Sequence, residues 1–155
     1  MSSVTDLLTG PLNRRGFMER LEPLWHNLVG ATVAFISIDM DRLKQINDNF
    51  GHAAGDFAIR LLARAIKAAL GKDGIGGDEF LIFLPSAGNG KAEAFLEHFD
   101  QALDRLNAEE NRSFTVSASA GCTTKQLTEP DTIEGCIHDS DTQMYQIKEA
   151  RHMAR

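Results

Sequence analysis

Short apolar runs alternate with segments of helical periodicity along this chain, and this alternation limits the possible folds more than any other feature. Residues 31–39 form an apolar, β-branched run bounded by Gly30, which is typical of a strand covered on both faces. Residues 55–70 carry apolar side chains at helical spacing, and residues 80–84 form a second apolar run that ends at Pro85. This order predicts a layered protein in which helices cover a sheet.

The remaining segments continue the same alternation. The pattern predicts an opening helix over about 13–28, a helix over 92–106, a third strand over 114–124 and a last helix from 131 to about 153. The predicted order is therefore α, β, α, β, α, β, α. We expect an α/β (α+β) sandwich, similar to the ferredoxin-like arrangement, with helices packed on a mostly antiparallel sheet. A chain of 155 residues without a linker-like segment suits one domain over residues 1–155.

Composition excludes several classes of function. The net charge of −6 argues against a broad basic face, so we expect no nucleic-acid partner. No window approaches the roughly 18 apolar residues that a membrane span needs, and the first residues lack a signal-peptide pattern. Cys122 and Cys136 lack metal-site spacing and are interpreted as small hydrophobic residues in a reducing compartment. These features predict a cytoplasmic protein that does not associate with membranes.

Acidic residues follow the first predicted strand directly. The strand ends in Asp39-Met40-Asp41, and because side chains alternate along a strand, the two aspartates are predicted to face the same side. Two like charges held this closely repel each other unless a cation lies between them. A solvated acidic strand end explains these residues equally well when they are considered alone.

A second acidic pair precedes the second predicted strand. Gly76 and Gly77 suit a tight hairpin or a close approach of phosphates to the backbone, and Asp78 and Glu79 follow them. If the strand starting at Phe80 lies beside the first strand, four carboxylates converge. Oxygen ligands of this kind suit magnesium, so the pattern predicts a metal-dependent phosphoryl-transfer site.

Five motifs stand in order along the chain. They are DLLTGPLNRR at 6–15, DMDRLKQINDNFGHAAGD at 39–56, GGDEF at 76–80, SASAG at 117–121 and DTQMYQIK at 141–148. With these motifs the chain resembles the GGDEF family of diguanylate cyclases over nearly its whole length. The resemblance implies a fold similar to nucleotidyl cyclase and polymerase palm domains. It also implies a role in bacterial second-messenger signalling, with two GTP molecules converted into cyclic di-GMP and two pyrophosphates.

The resemblance also implies roles for the acidic residues. Asp39 and the backbone carbonyl of Met40 are expected to bind Mg²⁺, with Mn²⁺ as an alternative. Asp78 is expected to be the other metal ligand and to help deprotonate the attacking 3′-hydroxyl, while Glu79 supports the site. For Asp41, a structural hydrogen-bonding role is at least as compatible with the sequence as a role in the site.

Further positions match substrate-binding residues of the family. Asn47 and Asp56 match guanine-reading residues, and a carboxylate and an amide suit the donors and acceptors on the edge of guanine. Lys44 and Lys148 match phosphate-contacting lysines. The other positions expected to lie along the substrate are Arg42, Leu43, Gly76 and Gly77.

Three departures from the family pattern concern basic residues. Gly74 stands where members often carry the arginine of RxGGDEF, and the five residues between Leu70 and Gly76 span at most about 17 Å. Either a stretch is missing from the sequence here, or the protein tolerates a frayed strand. Residues 67–70 read KAAL instead of RxxD, so we expect no inhibitory product site. Near the end of the chain an arginine is displaced, and Arg151 or Arg155 is placed to compensate.

Two functions remain open at the level of sequence. The first is a diguanylate cyclase that binds GTP and forms a homodimer at least during catalysis. The alternative is a catalytically weak or inactive GGDEF domain that acts as a GTP-binding regulatory or dimerisation module. Intact acidic and guanine-reading positions favour the enzyme, whereas the missing arginines favour the module. No segment resembles a sensor, which is compatible with a sensor domain elsewhere in a longer chain.

Overall fold

The computed structural model describes residues 14–70, 75–76 and 80–153. In chain order, the helices are α1 (Arg14–Trp25), α2 (Leu43–Phe50), α3 (His52–Leu70), α4 (Lys91–Glu110) and α5 (Ile133–Met153). The strands are β1 (Thr32–Met40), β2 (Ile75–Gly76), β3 (Leu81–Leu84) and β4 (Ala118–Gln126). A short 3₁₀ turn, His26–Leu28, follows α1.

The four described strands form one antiparallel sheet in the order β2-β3-β1-β4. Residues 33–38 of the central strand β1 are buried without interruption, as predicted for a strand covered on both faces. Ser37 pairs with Leu81, so β3 begins beside the end of β1. The predicted α+β sandwich with an antiparallel sheet is confirmed.

Alternate residues of β1 contribute to two separate cores. Ala34, Ile36 and Ile38 pack under α3 and α4, while Val33 and Phe35 pack with α1 and α5 on the other face. This division follows from the two-residue period of a strand. Burial on both faces fixes the register of β1, because a shift by one residue would exchange the two sets of side chains. The end of β1 is thereby held in a defined position.

One helix is missing from the predicted order, and one predicted boundary is wrong. The sequence pattern did not predict α2, a short helix rich in Asn and Asp whose buried Ile46 provides its packing. The third strand was predicted from residue 114 but begins at Ala118, because Phe114 instead packs against Phe50 and Phe57. Tertiary packing thus outweighs local preference in both places.

The strand that precedes β3 is described over two residues. Ile75 and Gly76 form β2 and pair with Phe83 and Ile82. Residues 71–74 and 77–79 lie outside the described residues, so the truncated first strand expected from the sequence stays a prediction.

Candidate active site

Helix α5 lies unusually close to β4 at Gly121. A Cβ atom at this position would lie 2.1 Å from the backbone nitrogen of Met144 and 2.4 Å from the carbonyl oxygen of Ser140. Real Cβ contacts are longer than this, and backbone atoms cannot move aside as a flexible side chain can. The glycine of the SASAG motif is therefore required for α5 to pack against the sheet.

A hydrogen-bonded cluster fixes the position of α5 along β1. The Ser37 hydroxyl donates to Asp141 Oδ1 over 2.5 Å and lies 2.7 Å from Ser140 Oγ. Ser140 also donates to the carbonyl oxygen of Ile137. Because these groups are largely buried, their bonds are costly to break. The next two turns of α5 are thereby carried past the end of β1.

Lys148 on α5 reaches the end of β1. Its ammonium nitrogen donates to Asp39 Oδ2 over 2.6 Å and to the backbone carbonyl oxygen of Met40 over 3.0 Å. The resemblance implies the same two groups, the Asp39 carboxylate and the Met40 carbonyl, as magnesium ligands. Both oxygens therefore converge on a single cation, and hard oxygen donors of this type suit Mg²⁺.

Asp41 has different surroundings from Asp39. Its side chain is only 5% exposed, whereas that of Asp39 is 55% exposed. The Asp41 carboxylate accepts hydrogen bonds from Ser119 Oγ at 2.7 Å, Arg151 Nη1 at 3.1 Å and Ser117 Oγ at 3.3 Å. Both aspartates thus contact α5, but Asp41 is a buried structural residue and Asp39 is accessible.

Arg151 joins three elements. Besides its ion pair with Asp41, it donates to the carbonyl oxygen of Ala118 over 2.6 Å. A buried carboxylate needs such a partner, because an unpaired charge in the interior is strongly destabilising. Arg151 therefore ties the end of α5 to β1 and β4. Arg155, the other candidate for the displaced arginine, lies outside the described residues.

Two residues beside the site, one before α2 and one before β3, have left-handed backbone conformations. Arg42 precedes α2 with a φ of 61°, and Phe80, just before β3, has a φ of 54°. Left-handed conformations of residues other than glycine cost on the order of 1–3 kcal/mol and persist where the surroundings enforce them.

The first turn of α2 includes Leu43 and Lys44. Its backbone amide groups have no partner within the helix and point beyond its end, where they can bind an anion. Lys44 itself is exposed and pairs with Asp48 at 3.2 Å.

The two predicted guanine-reading residues lie on neighbouring helices. Asn47 on α2 rests against the backbone of α3 at Gly55, where a Cβ atom would lie 1.8 Å from Asn47 Oδ1. Asp56 is the next residue along α3 and is exposed. The role of Gly55 is not among the features predicted from the sequence, although a glycine within a helical pattern was the available signal.

An aromatic cluster supports these two helices from behind. Phe114 lies 5.1 Å from Phe50 on α2 and 6.2 Å from Phe57 on α3, measured between ring centroids. The guanidinium of Arg112 stacks on Phe57 at 3.9 Å. Such contacts are worth about 0.5–1.5 kcal/mol each and hold the helices together.

A cleft of about 600 Å³ opens beside the Asp39–Lys148 pair, and its lining also includes Tyr145, Glu149 and Met153. Within residues 14–70, 75–76 and 80–153, no group of three or more His, Cys, Asp or Glu side chains is arranged to hold a metal. The third predicted metal ligand, Asp78, lies outside the described residues together with Gly77 and Glu79. Gly76 lies in β2.

The fold and these motifs define a nucleotidyl-cyclase-like domain. The family model described as "Diguanylate cyclase, GGDEF domain" matches residues 3–154. The probable diguanylate cyclase DgcJ of Escherichia coli strain K12 is 35% identical over 97% of this chain and 30% of its own length. The diguanylate cyclase VdcA of Vibrio cholerae is 33% identical over 92% of this chain and 43% of its own length. The chain belongs to the GGDEF family of diguanylate cyclases.

The solved GGDEF domain of YfiN from Pseudomonas aeruginosa has the same fold. Its structure superposes with a TM-score of 0.76 at 31% identity, covering 92% of this chain and 87% of that domain. This chain spans less than half the length of the two curated relatives named above. In the described part of the chain, no helix is long and apolar enough to cross a membrane.

Proposed function

We propose that this chain is a diguanylate cyclase that condenses two GTP molecules into cyclic di-GMP and two pyrophosphates. The observation that carries the proposal is the convergence of the Asp39 carboxylate and the Met40 carbonyl on one cation beside an open cleft. If this strand end were only solvated, its backbone carbonyl and its carboxylate would have no reason to contact the same cation, the Lys148 ammonium group. Membership of the family supplies the reaction.

Asp39, the carbonyl of Met40 and Asp78 would hold Mg²⁺, or Mn²⁺ in its place. When bound, the ion supplies positive charge that stabilises the phosphates and promotes ionisation of the attacking 3′-hydroxyl. Asp78 accepts the proton from this hydroxyl, and Glu79 supports it. The partial exposure of Asp39 suits this role, since a metal ligand must be reached from the cleft.

The remaining residues orient GTP. Lys148 and Lys44 contact the triphosphate, and the backbone amides of Arg42 and Leu43 point towards it from the start of α2. Gly76 and Gly77 let the phosphates approach the backbone. Together these groups neutralise the triphosphate locally in a chain whose net charge is negative.

Asn47 and Asp56 read the base. The Asp56 carboxylate accepts from N1–H and the 2-amino group of guanine, while the Asn47 amide pairs with O6 or N3. Adenine lacks this pair of donors and leaves the carboxylate unpaired, which disfavours ATP. The close contact between Asn47 and Gly55 holds the amide in position.

Each domain binds one GTP, so the product requires two domains that face each other. Closed two-fold symmetry is the simplest arrangement that brings both 3′-hydroxyls to the opposite α-phosphates. We therefore propose a homodimer at least during catalysis. A sensor domain in a longer protein would control its formation, in keeping with the greater length of the relatives.

The direct test is to incubate the protein with GTP and Mg²⁺ and to separate the nucleotides by chromatography. Cyclic di-GMP should form at a rate per protomer that rises with protein concentration, because the active species is a dimer. A rate per protomer that is independent of concentration across the monomer–dimer transition would contradict the dimeric arrangement.

A regulatory or dimerisation module is the second candidate function. It is favoured by Gly74 in place of the family's arginine and by the engagement of Arg151 with Asp41, which leaves α5 with fewer groups for phosphate. The module would bind GTP, as measured by calorimetry, without forming any product. This outcome would retain the GTP site and reject the cyclase.

A further inference from the structure

Lys148 occupies the oxygens that the proposed metal needs. Its ammonium nitrogen lies 2.6 Å from Asp39 Oδ2 and 3.0 Å from the Met40 carbonyl oxygen. No other cation is paired with Asp39 among the residues that the structure describes. The contact thus gives both oxygens a cationic partner.

Magnesium and this ammonium group cannot use both oxygens together. Asp39 and the Met40 carbonyl would hold magnesium at oxygen distances of about 2.0–2.1 Å, and Lys148 Nζ lies 2.6 and 3.0 Å from these same oxygens, so the two cations would need the same space. The two positive charges would repel each other strongly at so short a distance. Lys148 therefore has to leave these oxygens when the metal enters.

The backbone around Lys148 is anchored, so the side chain alone has to move. One anchor is the Ser37–Asp141 hydrogen bond two turns earlier on α5, and the other is the Arg151–Asp41 ion pair one turn later. The Lys148 side chain is 33% exposed and opens onto the cleft. A triphosphate in this cleft offers the displaced ammonium a new anionic partner.

We propose that Lys148 couples metal binding to nucleotide binding. It holds the oxygens of Asp39 and Met40 until a triphosphate draws it away, so the metal binds weakly alone and tightly with GTP. This inference rests on the proposed function, because it needs the triphosphate in that cleft. By linkage, the metal raises nucleotide affinity by the same factor as the nucleotide raises metal affinity.

The test is a titration of Mn²⁺ followed by the electron paramagnetic resonance signal of the free ion. It compares the unmodified chain with Lys148→Met, with and without a GTP analogue that carries a methylene bridge between its α- and β-phosphates. Lys148→Gln is measured in parallel, and thermal melts verify that each variant is folded. Lys91→Met is the matched control. Lys91 is exposed at the start of α4, and the loop before it is hydrogen-bonded through Ala87 to Thr32, at the end of β1 opposite to Asp39.

Without nucleotide, we expect Lys148→Met to bind Mn²⁺ roughly three- to fivefold more tightly, as removal of a partly exposed ion pair allows. The analogue should raise Mn²⁺ affinity less in this variant than in the unmodified chain, while Lys91→Met behaves as unmodified. The inference would be overturned if the unmodified chain and Lys148→Met bound Mn²⁺ with equal affinity. If Asp39→Asn lost Mn²⁺ binding in the same experiment, the proposed function would still stand. Failure of every protein to bind Mn²⁺, even with the analogue, would overturn both.

Discussion

At the scale of single residues, the two aspartates that flank Met40 have separate tasks. Asp39 is accessible and pairs with Lys148, whereas Asp41 is buried among two serine hydroxyls and Arg151. The difference arises because β1 ends at Met40, after which the chain turns towards α2. Two identical side chains, two residues apart, should therefore respond differently to substitution.

We expect Asp39→Asn to reduce cyclic di-GMP formation by at least about 100-fold with little change in melting temperature, since it removes a metal ligand at an accessible position. Asp41→Ala should instead lower the free energy of unfolding by about 2 kcal/mol, because Ser119 and Arg151 lose their buried partner. Chemical denaturation and an activity assay on both variants provide the measurement. Equal losses of stability would contradict the division of roles.

Gly55 offers a test of guanine recognition that does not alter either base-reading residue. Gly55→Ala places a methyl group where Asn47 Oδ1 now lies, so the amide must shift. Helix propensity favours alanine by about 1 kcal/mol, so the fold should persist. We expect calorimetry in Mg²⁺ to show a reduced preference for GTP over ATP. Gly88→Ala, where no atom lies within 4 Å of the added methyl group, is the control. An unchanged preference in Gly55→Ala would remove Asn47 from base recognition.

At the scale of elements, the loop that precedes α5 is held by hydrogen bonds around Asp131. Asp131 accepts hydrogen bonds from Lys125 Nζ at 2.5 Å and from the backbone and hydroxyl of Thr128, and its own carbonyl accepts from Trp25 Nε1. The Lys125 ammonium, aided by Thr128, lowers the pKa of Asp131 from its ordinary 3.8 to about 2. This loop therefore fixes where α5 begins.

The lowered pKa of Asp131 predicts a pH dependence. A carboxylate whose folded pKa is lowered contributes stability that is complete above its unfolded pKa and is lost as pH falls through its folded pKa. Asp131→Asn should therefore lower the melting temperature near pH 6, and the difference should shrink between about pH 4 and pH 2. A difference that stays constant down to pH 2 would show that the charge of Asp131 does not stabilise the fold.

The sequence predicted elements well where the hydrophobic pattern was long, and poorly where contacts with distant residues determine the structure. The uninterrupted apolar run of β1 and the 3.6-residue periodicity of α3 and α4 located these elements to within a few residues. The short helix α2 and the late start of β4 depend on contacts with distant residues such as Phe114, which no local pattern records. For the same reason, motifs indicated Asp39 and Lys148 but not the contact between them.

At the scale of the whole molecule, the end of α3 bears on regulation. Residues 67–70 read KAAL instead of RxxD, with Lys67 exposed and Leu70 buried. A lysine and a leucine cannot reproduce the bidentate geometry that an arginine and an aspartate give to a phosphate and a base. The turnover of this chain should therefore be controlled by assembly more than by its product.

We accordingly expect little non-competitive inhibition by cyclic di-GMP. The measurement is the initial rate at several GTP concentrations with added product, performed on the full-length chain so that any stretch absent between Leu70 and Gly76 is included. Micromolar inhibition that persists as GTP is raised would contradict this expectation and show that a product site exists.

In the proposed function, this chain joins two GTP molecules at a site built on Asp39, Met40 and Lys148. The most direct measurement is the simultaneous quantification of cyclic di-GMP and pyrophosphate after incubation with GTP and Mg²⁺, by mass spectrometry and a coupled pyrophosphate assay. We expect two pyrophosphates for each cyclic di-GMP, with both products absent in Asp39→Asn. GTP that stays intact in the presence of the folded, unmodified dimer, or pyrophosphate released without cyclic di-GMP, would contradict the proposed function.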